Sequence, residues 1–448
     1  MRRVTRGPGI VLLASVFLAP CALAAQERGR GVGRGLNQPP GIQLEIGYAA
    51  DLFKPVRGGI SQDATALDNL DLLLHLSLNP LLGLRGTSVR VHVQSNRGEA
   101  VSAGVGNLQE ISNLEAPREW RLYEAWIGHQ FGSPRIALLA GVYDLNAEFD
   151  VMPGARALLN SSFGFGPEYA LGGIAGPSTY PTTALAARVR FEPSPTLYGL
   201  VGVSDGVPGD RGDGRFALDR EEGALVSVEL GYAQPLLDPS RVSATATPEG
   251  RLGRRAVGRP MLRGQRRQIG RGRRIADVST KIAVGGWVYT ERMDALGLDE
   301  PPGRSWGLYL LGEQQLYQEP NGAGRLSGFA RVGTAADGVN RLDLSFTGGV
   351  LYQGAFPGRP EDITGVGVAY ARNGSPFLDA RGRSGDPLEE SETVLELTYQ
   401  AELGRHFLLQ PDLQWVLNPG MDPDAGHALV FGVRGYVHVE IPGPDGES

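Results

Sequence analysis

From residue 42 onward, polar and apolar residues alternate one for one over long stretches of this chain. Val89, Val91 and Val93 interleave with Arg90, His92 and Gln94. Leu185, Ala187, Val189 and Phe191 interleave with Arg188, Arg190 and Glu192, and Leu342, Leu344 and Phe346 with Asp343, Ser345 and Thr347. The same beat recurs at 224–230, 395–403, 409–415 and 429–440. A period of two belongs to a strand whose two faces meet different surroundings. The runs extend over about 9–12 residues, against about 5–6 for ordinary soluble strands, and about 9–11 tilted residues cross a bilayer. One face is strongly charged, which suits a water-filled lumen better than the packed core of a soluble all-β protein.

Sixteen such segments are predicted, centred near residues 46, 72, 91, 125, 139, 187, 200, 228, 284, 310, 330, 346, 367, 398, 411 and 433. The fold class expected is therefore all-β, a transmembrane antiparallel β-barrel of about 16 strands. The composition agrees: only 41% of residues are hydrophobic and the mean hydropathy is −0.16, as expected when every second strand residue meets lipid.

A barrel of this kind must be exported. Arg2, Arg3 and Arg6, the apolar run Ile10 to Leu18, and Ala22-Leu23-Ala24 have the layout of a secretory signal over residues 1–25. Cys21, the one cysteine, lies inside it, so cleavage would leave no thiol for disulfides or catalysis; a lipoprotein reading of Leu18-Ala19-Pro20-Cys21 is disfavoured by Pro20. Beyond the signal no run of about 18 apolar residues exists for a transmembrane helix. Residues 26–40, rich in Gly and Arg, read as a flexible leading segment; Gly31, Gly33 and Gly35 follow no strand, so they are not a nucleotide loop. The barrel is expected over 41–441 and a polar tail over 442–448.

Connections alternate in length. Gly132-Ser133-Pro134, Pro193-Ser194-Pro195 and Gly404-Arg405 read as tight periplasmic turns, and 98–118, 144–182, 205–220 and 373–391 as long outer loops. One periplasmic connection, 234–278, breaks the rule. Its stretch 241–274 holds eleven arginines and one acid, a net +10. Remove that and the three signal arginines from a whole-chain charge of −6, and the rest of the barrel carries −19. The insert reads as a solvated loop, or as a periplasmic contact for an acidic partner or for the barrel's own acidic lumen; it has no aromatic residue for base stacking, so nucleic acid is not expected.

Catalytic signatures are missing from the sequence. His75, His92, His129, His406, His427 and His438 show no metal-ligand spacing. Ser161 and Ser162 sit in no Gly-x-Ser-x-Gly elbow. The acids of 144–150 show no sign of the closed cleft that a glycosidase pair needs. No enzyme activity, metal or cofactor is expected.

Several segments occur together in a known order. They are Gly106-Asn107-Leu108 with Ile111 to Pro117, Arg121 to Trp126, Gly141 to Asp150, Leu159 to Glu168, Pro181 to Leu185, Asp205 to Asp210, Pro357 to Asp362, and Gln410 to Gly420. This pattern resembles the carbohydrate-selective porin (OprB-type) family over roughly residues 40–440. The resemblance implies a sixteen-stranded outer-membrane barrel that passes glucose and other small sugars, with an inward-folded loop narrowing the pore. The chain departs from the family pattern in the long basic insert and in the polar tail.

A sugar pore must offer hydrogen bonds in both directions and bind weakly enough to release. The third long loop is the expected constriction, with Asp144, Asn146, Glu148, Asp150, Asn160, Ser161, Ser162 and Glu168; Arg90, Arg188, Arg190, Arg331 and Arg434 are the expected facing wall. An acidic loop opposite a basic wall orients dipoles and disfavours bare ions. The competing role for these charges is to pair and hold the loop in place. Arg121 and Glu124 fall on opposite faces, so at most one should line the lumen; Arg359, Asp362 and Asp412 read as structural. Trp126 and Trp287 are candidates to face the lumen and stack on sugar rings, and Trp306 reads as a lipid-interface residue. The expected partners are small sugars, outer-membrane lipid and lipopolysaccharide, with trimer and monomer both open. A cation-preferring general porin and a non-conducting sugar-binding barrel are the rival functions.

Overall fold

The computed structural model describes residues 41–131, 136–209, 223–235, 278–297, 301–320, 324–404 and 406–442. The signal, the leading segment, the Gly132–Pro134 turn, Arg405, most of 205–220, most of the basic insert and the end of the tail lie outside these residues.

Sixteen antiparallel strands close into one barrel. They are β1 (Ile42–Arg57), β2 (Thr65–Ser77), β3 (Thr87–Gly98), β4 (Trp120–Gln130), β5 (Ile136–Tyr143), β6 (Ala184–Phe191), β7 (Leu197–Asp205) and β8 (Ala224–Pro235). The second half is β9 (Val278–Met293), β10 (Gly303–Gln318), β11 (Arg325–Ala335), β12 (Leu342–Gln353), β13 (Ile363–Asn373), β14 (Ser391–Glu402), β15 (Phe407–Leu417) and β16 (Ala428–Pro442). Each strand pairs with its sequence neighbours, and β1 closes on β16 from Gln43↔Pro442 to Arg57↔Leu429. Closure removes every edge, so each strand finds its backbone partners within the wall.

All sixteen expected centres fall inside these strands, but the lengths run wider than expected, from 8 residues in β5 and β6 to 16 in β1, β9 and β10. The short strands have a consequence. The wall is low at β5–β6, where Tyr143 pairs with Ala184, and residues 144–183 leave from that point.

The alternation sorts side chains as the sequence requires. Leu52, Ile282, Val284, Leu308 and Leu310 are exposed on the outside, where lipid would cover them. Aromatic residues flank this band. Trp120, Trp306, Trp415 and Phe431 sit toward the long-loop end, and Phe131, Phe191, Tyr317 and Phe407 toward the short-turn end. Trp306 thus lies on the outer face near the long-loop end of its strand. Among the described residues, no helix is long and apolar enough to cross a membrane.

Parity fails at one place, and a β-bulge explains it. The pairing of β3 with β4 jumps between His92↔Glu124 and Val93↔Leu122. The extra residue, Tyr123, lets Arg121 and Glu124 both turn inward and both become buried. The expectation that at most one could line the inside is therefore corrected.

The apolar core lies within the lumen, between the wall and the loop of residues 144–183. Leu145, Phe149, Leu158, Leu159, Phe163 and Tyr169 belong to it. Glycine in the wall makes room: a Cβ at Gly367 would stand 2.6 Å from Phe163 Cζ.

Candidate functional site: the loop-narrowed lumen

The loop of residues 144–183 folds through the barrel and is bonded to the wall strand by strand. Its first turn is set locally, where Asp144 Oδ1 accepts from Asn146 N at 2.9 Å. The other Asp144 oxygen accepts from Tyr123 Oη at 2.5 Å. Asn146 Nδ2 donates to the carbonyl of Gly164 at 2.9 Å and so ties two parts of the loop together. Glu148 accepts from Tyr143 Oη at 2.6 Å, pairs with Arg188 Nε at 2.5 Å and lies 3.5 Å from Arg190 Nη1.

Further along, one buried arginine gathers two loop carboxylates. Arg331 of β11 donates from Nε to Asp150 at 2.7 Å. It also donates from Nη2 and Nη1 to the two oxygens of Glu168, at 2.6 and 3.0 Å. Ser345 Oγ also donates to Glu168. This bidentate geometry is the strong form of an Arg–carboxylate contact. The fit is tight enough that a Cβ on Gly333 would overlap the Glu168 carboxylate. Burial pushes the Asp150 carboxyl up, with the Arg331 guanidinium pulling the other way.

Wall glutamates take the loop's backbone donors. Glu229 of β8 accepts from Asp150 N at 2.8 Å, Glu313 of β10 from Gly154 N at 2.8 Å, and Glu396 of β14 from Leu159 N and Asn160 N at 2.5 and 3.0 Å. Asn160 donates from Nδ2 to the Glu110 carbonyl at 2.6 Å and accepts from Ser162 N at 3.1 Å. Sequence reasoning did not single out Glu229, Glu313 and Glu396 as anchors. Their inward parity was visible; their partners, backbone N–H groups, carry no signature in the residue types.

A second loop, residues 99–119, also enters the lumen, which was not expected. Arg434 of β16 donates to both oxygens of Asp51 at 2.7 Å, to Asn113 Oδ1 at 2.9 Å and to Ser112 Oγ at 3.0 Å. Glu392 of β14 accepts from Leu108 N and Gln109 N at 2.8 and 2.9 Å. The two loops also bond to each other, Asn113 N to the Leu159 carbonyl at 2.8 Å and Tyr180 Oη to the Leu114 carbonyl at 2.6 Å. The signal lay in Val101, Val105, Ile111 and Leu114, apolar residues in a presumed solvent loop, all of which are buried.

These contacts correct the expected wall. Arg188, Arg190 and Arg331 do face the acids of the third loop. Arg434 instead holds the second loop, and Arg90 pairs within the wall, Nε to Glu124 at 2.9 Å. That pair continues through His92 to Asp71, 2.9 Å from His92 Nε2. Trp126 and Trp287 both turn inward, at 4% and 3% exposure. Trp287 lies flat on Tyr169, ring centres 4.9 Å apart at 7°, so the loop occupies that face; Trp126 Nε1 donates to Glu124 at 3.2 Å. Arg359 and Asp362 pair at 2.6 Å, and Asp412 accepts from Gln414 Nε2 at 3.0 Å. Among the described residues, no group of His, Cys, Asp and Glu is placed to hold a metal.

A closed sixteen-strand barrel, apolar and girdled outside, polar inside and narrowed by folded-in loops, defines a porin of the Gram-negative outer membrane. Within that class, the chain belongs to the carbohydrate-selective porin, OprB family, whose model matches residues 61–438. It is 25% identical over 430 residues to Porin B of Pseudomonas aeruginosa, covering 88% of this chain and 87% of that one. The high-pH structure of Pseudomonas putida OprB superposes with a TM-score of 0.73 at 19% identity, covering 89% of this chain and 94% of the other. The low-pH structure of that protein gives 0.52 at 17% identity, covering 89% and 93%. Proteins of this family and fold are channels rather than enzymes.

Proposed function

We propose that small neutral sugars, glucose among them, diffuse passively through the aqueous path beside the two docked loops, with no covalent step. Internal neutralisation carries this reading: Glu148, Asp150 and Glu168 each meet an arginine, so the loop presents little bare charge to a solute. In this account Asp144, Asp150, Asn160, Glu168, Arg188 and Arg434 hold the loops. Groups that keep some exposure meet the sugar: Arg190 and Glu192, each with side chains 21% exposed, and the half-buried Asn146 and Arg156. Both donors and acceptors are present, as weak, reversible recognition of a polyol requires. Residues 1–25 direct export, and the apolar belt meets outer-membrane lipid and lipopolysaccharide.

Liposome swelling with glucose, arabinose, xylose and amino acids of matched size tests this. Faster swelling with the sugars is expected. Equal rates for the amino acids would make the barrel a general porin, and no swelling would leave a sugar-binding barrel.

A further inference from the structure

The outer face of the β9–β10 hairpin carries a charge arrangement that transport does not use. Arg292 and Arg304 lie directly opposite each other in the ladder. Both are exposed. Like charges directly opposed across a strand pair cost stability unless something neutralises them. Among the described residues no carboxylate pairs with either guanidinium. Each is instead held, among the described residues, by a bond across the hairpin, Arg292 Nε to the Pro302 carbonyl and Arg304 Nε to the Thr290 carbonyl, both at 3.0 Å. Those bonds fix both side chains and leave their terminal nitrogens for another acceptor.

The level of the pair on the barrel identifies that acceptor. Arg304 shares its outward parity with Trp306, Leu308 and Leu310, all exposed. Tryptophan marks the headgroup boundary. The arginines stand one step beyond it, at the long-loop end, where the outer-leaflet headgroups lie. Arginine forks match phosphate oxygens bidentately.

We propose that Arg292 and Arg304 form a docking site for a phosphate of the outer-leaflet lipid headgroup, the phosphorylated glucosamine of lipopolysaccharide. Glu291 and Asp294 flank the pair on the same hairpin, so the site should favour a phosphate held by its acyl anchor over free anions. The inference rests on the barrel's residence in the outer membrane, which sugar flux reports separately.

The test uses the mature protein in detergent, with bisphosphorylated lipid A as the probe, and compares it with Arg292→Gln/Arg304→Gln. Binding should weaken about thirtyfold in the double variant, two basic side chains having been removed from a charged surface. Dephosphorylated lipid A should bind wild type as poorly as bisphosphorylated lipid A binds the variant, and inorganic phosphate at the same concentration should not compete. Sugar flux and heat-modifiable gel mobility should stay at wild-type values, which shows that the variant still folds. Equal lipid A affinity in wild type and variant overturns the proposal, and so does displacement of lipid A by inorganic phosphate.

Discussion

Arg331→Met removes the cation that, among the described residues, joins Asp150 and Glu168 of the third loop to the wall. Arg331 is 2% exposed, and both carboxylates are as deeply buried. Methionine fills much of the volume but leaves two negative groups inside the protein without a counter-charge. Breaking a buried pair in this way costs about 3–5 kcal/mol. At about 1.4 kcal/mol per factor of ten, the balance between docked and undocked loop shifts by about two to three and a half orders of magnitude. The anchors at Glu229, Glu313 and Glu396 remain, so the expected result is loosening around residues 150–168 within an intact barrel. Single-channel recording in planar bilayers reads it as higher mean conductance and more open-channel noise at pH 7. Burial already raises Asp150, and without the guanidinium the hydrogen bond from Gly166 N is left as the weaker opposition to that rise. Acidifying the bath should therefore neutralise the orphaned site and return the variant toward wild-type conductance. Adding Asp150→Asn and Glu168→Gln should restore quiet conductance at pH 7, since neutral isosteres remove the uncompensated charge. Conductance and noise equal to wild type at every pH would refute the reasoning.

Other consequences follow from the same contacts. Asp144→Ala with Glu148→Ala should take a carboxylate partner from each of Tyr123, Tyr143 and Arg188 and alter both conductance and sugar block; unchanged values would confine these acids to bracing that the channel does not feel. Gly367→Val should push Phe163 from its seat, destabilising the docked loop by about 1–3 kcal/mol, read as earlier proteolysis of the loop while the barrel persists. Glu115 titrates within the second loop. Burial raises its carboxyl to about 7 from an ordinary 4.5, with Glu110 adding to the rise. The folded state then holds the proton more tightly than the unfolded state, so this group's contribution is fully present below about pH 4.5. It is lost as pH climbs from there to about 7. Hydrogen exchange at residues 101–115 should quicken over that window, and Glu115→Gln should flatten the dependence.

The strands were legible because a barrel in lipid separates its two faces at every residue, so sixteen segments announce themselves by parity alone. Parity also placed Trp306 outside, whereas Trp126 and Trp287 were candidates for the lumen that the structure turns inward. It misjudged Arg121 and Glu124 because a single inserted residue, Tyr123, re-phases β4, and nothing in the composition of Trp120–Gln130 marks a bulge. The loop acids were recognisable as partners for inward arginines, but the pairing of Arg434 with the second loop was not, since like charges along a wall do not say which loop each will meet. The glutamates that receive backbone N–H groups were hidden for a simpler reason: every residue but proline carries that donor.

The central claim is an open aqueous path past two loops that are fixed to the wall. Equilibration of labelled glucose into proteoliposomes, with no ion or potential gradient, tests it most directly. The account predicts filling within seconds, at a rate nearly linear in sugar concentration and absent from protein-free vesicles. Glucose that stays outside vesicles containing correctly folded barrel would contradict it.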